Sequence, residues 1–341
     1  MEQEIVLVTL RGPMRKPSFL GMEVFFIKQF KTLDEQLIIV HNRNLRITDY
    51  KRAKQFLLTN NYYNIINGYS KYFMDNETNI YKNNATFDEI THLHRFDTAI
   101  KHALMKSLGH AEDHIKYITA HRFAENYPNI KYAYLQLSSY TKNRNSKLDW
   151  LIPNLCNLIK KKSRQKKDNA IKHYVKNYND VPIWVIVNFM DFGQINTLFY
   201  CLPTSLQNQI ATNCLSFVHE NGNAINGIFT PEIMVSFLDN MRQIRNVCAH
   251  NNKLIDFKCK SDIKYYNDLH DNYNISKNSF RNDVYNVFII LQCFVSRNEY
   301  AYLHNSFLKQ IKNLDKKLNS ISINVILKSL GFPEDWHENN K

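Results

Sequence analysis

Apolar residues recur at three- and four-residue spacing along most of the chain, and this period predicts helices. Thr32 stands three positions before Glu35, a capping-box spacing, and Leu33, Leu37, Ile38 and Val40 follow as an apolar stripe. Ala53, Phe56 and Leu57 mark a second helix. Leu93, Phe96, Ile100, Leu104 and Leu108 predict an amphipathic helix over 87–108, with another over 112–126. An apolar segment opens at Val181, Pro182, Ile183 and Trp184 and ends near Phe192 and Gly193. Thr230 suits a helix N-cap and Pro231 the first helical position. Ile233, Met234, Phe237, Leu238, Met241 and Ile244 then form one stripe that runs into Arg245. Further amphipathic stretches follow around 284–295 and 303–318, whereas residues 5–10 could form a short strand broken by Gly12 and Pro13.

The pattern predicts an all-α fold, a multi-helix bundle with an N-terminal helical region. Residues 1–28 read as an extension, with Met22 as an alternative start; 29–140 as the N-terminal helical region; 141–180 as a basic, RNA-contacting segment; and 181–341 as a second helical region. Composition agrees, because 8 Gly and 8 Pro in 341 residues leave few chain breakers. A hydrophobic share of 44% suits a globular chain. The six cysteines, Cys156, Cys201, Cys214, Cys248, Cys259 and Cys293, form no CxxC pair, which excludes zinc-ribbon and thioredoxin readings. The start carries no basic-then-apolar leader and no apolar stretch is long enough to span a bilayer, so a cytoplasmic protein is expected, without membrane contact.

The net charge of +13 changes the picture. It fits either a Lys-rich codon bias or a polyanionic partner, and clustering favours neither outright. Lys160, Lys161, Lys162, Arg164, Lys166 and Lys167 put six cations into eight positions, which reads equally as a solvated helix face or an RNA contact. Asn61, Tyr62, Tyr63 and Tyr69 make an aromatic, amide-rich stretch. Packing of a helix–loop junction is its plainer reading, and stacking of bases on Tyr62 and Tyr63 its functional one.

Candidate chemistry lies in Arg245-Asn246-Val247-Cys248-Ala249-His250. Histidine's ordinary pKa, about 6.5, suits proton transfer near neutral pH. Asn246, four residues before His250, shares its helix face and could orient the ring. Arg245 could stabilise charge developing on a phosphate. Five residues rotate by about 140° on an ideal helix, so Arg245 and His250 do not share a face. A helix end, or two copies meeting across a two-fold axis, would close that gap. The chemistry is metal-independent RNA cleavage through the ribose 2′-OH, with no cofactor and no metal expected. The spacing alone also fits a histidine that merely caps a helix.

The segment Arg-Asn-x-x-x-His at the end of an amphipathic helix resembles the motif of the HEPN superfamily. An ordered set of matches resembles one branch, the Abi-like abortive infection proteins AbiD and AbiF. The set comprises Thr32-Leu33-Asp34-Glu35-Gln36-Leu37, Asn61-Tyr62-Tyr63 with Gly68-Tyr69, Phe96-Asp97, and Pro182-Ile183-Trp184 with Phe192-Gly193. It continues with Arg245 to Asn251 and Leu330-Gly331-Phe332-Pro333-Glu334-Asp335-Trp336, so that it covers about residues 29–337. The resemblance implies a HEPN-type bundle, a homodimer and RNA cleavage in bacterial phage defence. It also implies association with a structured non-coding RNA. Arg245, Asn246 and His250 match the motif residue for residue. Lys253 stands where an arginine is expected, keeping the charge of an RNA contact but losing the bidentate fork. The alternative is a non-catalytic protein that sequesters a structured RNA.

Overall fold

Thr32 and Thr86 show how local chemistry sets the helix starts. In the computed structural model, which describes residues 29–75, 77–224 and 226–339, each hydroxyl accepts from the amide three residues on. Glu35 and Glu89 reach back to the same threonine amides, closing two capping boxes. These boxes open α1 (Leu33–Asn42) and, after α2 (Tyr50–Asn60), α3 (Phe87–Asn126). A π-helix, Tyr63–Asn67, and a 3-10 turn, Ser70–Phe73, lie between α2 and α3. Next come α4 (Asn145–Ser163), α5 (Ala170–Tyr178), α6 (Ile183–Ile186), α7 (Phe192–Cys201), α8 (Thr204–Glu220) and α9 (Pro231–Ala249). The remaining helices are α10 (Asn267–His270), α11 (Val284–Ile290), α12 (Arg297–Asp315), α13 (Ile323–Leu330) and α14 (Trp336–Asn339). Two isolated bridges, Arg46 with Thr86 and Met74 with Tyr81, are the only β-pairings among the described residues, so the fold is all-α. The extension, the strand over 5–10 and the start at Met22 lie outside the described residues.

α3 is the central beam. Its 40 residues span about 60 Å, and it packs against α6, α8, α9 and α12. The apolar spacing predicted two helices here, over 87–108 and 112–126. One continuous helix forms instead, because Ile100, Leu104, Leu108, Ala111 and Ile115 carry the buried stripe straight across Gly109. Burying that stripe outweighs the roughly 1 kcal/mol that glycine costs inside a helix.

Residues 284–295 also differ from expectation. Every residue from 284 to 295 is buried, so α11 has no polar face and runs through the core. Buried side chains from Leu37 to Trp336 form one apolar cluster. No described helix is long and apolar enough to cross a membrane.

Candidate active site

α9 begins as the sequence dictates. The Thr230 hydroxyl accepts from the Ile233 amide, Pro231 occupies the first turn, and Met234, Phe237, Leu238, Met241 and Ile244 are buried. Its other end is fixed by two backbone bonds. The Asn251 amide donates to the Cys248 carbonyl at 3.2 Å, and the Asn252 amide donates to the Val247 carbonyl at 3.0 Å. Asn251 supplies the left-handed residue this closure needs, with φ of +53°. His250 is therefore the C-cap, exposed to solvent, with Arg245 and Asn246 half-buried in the turn before it.

Arg245 is held from below. Its Nε lies 3.8 Å from Glu112 Oε2 on α3 and has no hydrogen-bond partner among the described residues. Glu112 in turn accepts from Lys116 Nζ at 2.7 Å, and both are buried. Asn246 makes no side-chain hydrogen bond to the His250 ring among the described residues; the two are joined by the His250 amide donating to the Asn246 carbonyl at 3.0 Å. The turn before His250 keeps Arg245 and His250 on different flanks of α9, as the five-residue spacing requires.

Behind the motif, α3 clamps the chain a second time. Asp97 is fully buried, and its Oδ1 accepts from the amides of Leu254 and Ile255, each at 3.0 Å. Its Oδ2 accepts from the Tyr69 hydroxyl at 3.0 Å and faces Lys101 Nζ at 3.1 Å. Lys101 donates to Asn251 Oδ1 at 2.7 Å and to the Asn252 carbonyl at 3.2 Å, placing a cation at the negative pole of α9. Sequence reading missed Lys101, Glu112 and Lys116, and met Asp97 only as part of a family pattern. The available signal was two acid–lysine pairs at four-residue spacing, falling where the apolar stripe of α3 should continue.

The other sequence candidates lie apart from this turn. Lys253 donates to the Gly68 carbonyl at 2.7 Å and to Asp256 at 3.1 Å, and sits over the Tyr72 ring at 5.1 Å. Burial lowers its pKa, against the pull of Asp256. It is built into the fold rather than presented to a phosphate. Burial opposes ionisation of Asp256, but hydrogen bonds from Lys71, Tyr72 and Lys253 outweigh it and hold its pKa at about 2. Tyr62 packs half-buried against the core, while Tyr63 is 68% exposed and open to a stacking partner. Lys160, Lys161, Arg164, Lys166 and Lys167 are exposed at the end of α4 and in the loop after it, and Lys162 lies over Phe189 at 5.1 Å.

An open cleft of about 890 Å³ runs along α9 from the motif, lined by Arg245, Asn246, Arg242, Lys147, Trp150 and Gly193. Lys147 and Trp150 come from the first turns of α4, about 20 Å along that helix from the lysine cluster. Cleft and cluster are thus two surfaces. Among the described residues, no three His, Cys, Asp or Glu side chains gather as a metal ion would need.

A family model described as Abi-like protein matches residues 55–256. That span runs from α2 through the motif to Asp256, enclosing both clamps on α3. No curated protein and no solved structure matches the chain.

Proposed function

This chain belongs to the Abi-like protein family, and from that premise we propose that it is an RNA-cleaving toxin of the HEPN type acting in abortive infection. The observation that carries the reading is the pairing of an exposed His250 at a closed helix end with an Arg245 held in the last turn by Glu112. His250 removes the proton from a ribose 2′-OH, and the 2′ oxygen attacks the adjacent phosphorus. The bond from phosphorus to the 5′ oxygen breaks, leaving a 2′,3′-cyclic phosphate and a 5′-hydroxyl that takes up a proton. Arg245 stabilises the charge on the phosphate oxygens as the fifth bond forms. DNA lacks the attacking hydroxyl, so the substrate is RNA.

One imidazole serves as base or as acid at a given moment. A homodimer with α9 at its two-fold axis supplies a second His250 for the other role and closes the angular gap between Arg245 and His250. The Lys160–Lys167 surface and a bound structured RNA belong to the same reading. A direct test incubates the purified chain with RNA and analyses the product ends. Cyclic phosphates that vanish in His250→Ala are expected; equal cleavage by the variant sinks the assignment.

One observation favours a second reading. Neither Asn246 nor any other described side chain orients the His250 ring by a hydrogen bond, which suits a phosphate clamp in a protein that sequesters RNA. RNA bound tightly and recovered uncut would select it.

A further inference from the structure

α2 and α3 enclose a cleft of about 730 Å³, whose lining includes Lys51, Arg52, Arg95, Phe56, Asn60 and His94. It is separate from the α9 cleft and from the α4 lysine cluster. Lys51, Arg52 and Arg95 are exposed, and among the described residues none has a carboxylate within ion-pairing distance. Lys317 follows α12 and lies outside the cleft lining, but its charge reaches His92 on α3. Burial and then the positive charges of Lys317, Arg95 and Arg52 lower the pKa of His92, against Asp88. Among the described residues, Asp49 is the one acidic side chain lining the cleft, and its Oδ1 accepts from the Arg52 amide at 2.9 Å; Asp88, which accepts from the Thr48 hydroxyl at 2.8 Å, lines the adjoining pocket with Arg52 and Arg95. In the α9 cleft, by contrast, Arg242 has Asp239 at 3.9 Å.

Lys51, Arg52 and Arg95 outnumber the two nearby carboxylates, Asp49 in the cleft and Asp88 in the adjoining pocket, so the cleft keeps a positive charge that a bound anion would offset. Two guanidiniums suit phosphate, which they grip with paired N–H groups. Arg95 Cζ stands 5.8 Å from the centroid of the Phe56 ring, a contact that tethers the guanidinium beside the cleft. Gln55, Thr59, Asn60 and Thr98 make the rest of the lining polar; Thr59, Asn60 and Thr98 donate to carbonyls of their own helices and leave their oxygens as acceptors.

We propose that the α2–α3 cleft binds the phosphodiester backbone of an RNA strand, with Arg52 and Arg95 as its phosphate contacts. The choice of RNA rests on the function proposed above. The cleft backs onto the clamp behind the motif. The His94 ring meets Tyr69 edge-on at 5.4 Å, and the Tyr69 hydroxyl donates to Asp97. Two side chains, His94 and Tyr69, then separate RNA seated there from Asp97, which holds the chain after His250.

The test uses the full chain carrying His250→Ala, so that RNA stays intact, and a labelled RNA hairpin with a single-stranded tail. Affinity is measured across a salt series for this protein and for the same protein with Arg52→Gln and Arg95→Gln. The slope of log affinity against log salt should flatten by about 1.4, or 0.7 for each lost contact. Lys51→Gln with Lys317→Gln is the second pair and should flatten it as well, with melting midpoints confirming that all variants fold. An unchanged slope in the protein with Arg52→Gln and Arg95→Gln overturns the proposal, as does a His250→Ala parent that binds no RNA. Equal affinity for DNA of the same sequence overturns the assignment to RNA. Binding to phosphatidylserine vesicles in place of RNA, with the same dependence on Arg52 and Arg95, overturns it too. Product ends from the wild-type chain report on the motif alone, so the cleft and the chemistry fail separately.

Discussion

Lys101 Nζ donates to Asn251 Oδ1 at 2.7 Å, so a buried lysine on α3 holds the residue that follows His250. The lysine also donates to the Asn252 carbonyl and pairs with Asp97, itself fully buried. Lys101→Met strands that carboxylate and frees the end of α9. Stability should fall by about 3–5 kcal/mol, the usual cost of breaking a buried ion pair. A denaturant titration reads this directly, and a loss below about 1 kcal/mol would show that the pair does not carry the loop.

His250 is exposed and bonds to the fold through its backbone. His250→Ala should leave stability within about 0.5 kcal/mol of wild type while lowering RNA cleavage by about 10²–10⁴-fold. Parallel melting curves and single-turnover rates check the pair of statements.

Glu112→Gln keeps the shape beneath Arg245 and removes the charge that holds it. Cleavage should slow by about tenfold to a hundredfold through misplacement of the guanidinium, with RNA affinity little changed. A variant that lost affinity and kept its single-turnover rate would move Arg245 from catalysis to binding.

His270 gives the fold an acid limit. The ring is fully buried, and burial lowers its pKa from 6.5 to about 4. The unfolded chain therefore binds a proton that the folded chain refuses. The stability is fully present above pH 6.5 and drains away as the pH falls towards 4, by on the order of 3 kcal/mol. His270→Gln should flatten that part of the stability–pH curve. A variant with the wild-type slope between pH 6.5 and 4 would trace the acid loss to other groups.

Gly331 has φ of +85°, and a Cβ there would fall 2.1 Å from Asp283 Cγ. Gly331→Ala should cost more than about 1 kcal/mol, seen as a lowered melting midpoint with cleavage per folded molecule unchanged.

Much of this architecture was legible where one element carries its own signal. Thr32 with Glu35, and Thr230 with Pro231, marked the starts of α1 and α9 through local hydrogen bonding alone. The Arg245–His250 spacing left a helix end or a two-fold contact open, and α9 does end at His250. What stayed hidden depended on residues distant in sequence. Gly109 looks like a break until the neighbours that bury its flanks are known. Lys253 looks like a free cation until Gly68 and Asp256 are brought to it. Glu112 and Lys116 carry no sign in the sequence that they are interior, because the helices packed around α3 bury them.

One helix thus references both sides of the candidate site. Asp97 and Lys101 hold the chain just after His250, and Glu112 holds Arg245 just before it, all from α3. That helix also carries much of the core. The candidate turn has no independent foundation that could melt while the rest of the fold survives. Heat inactivation and loss of helical signal should then fall on a single curve with one midpoint.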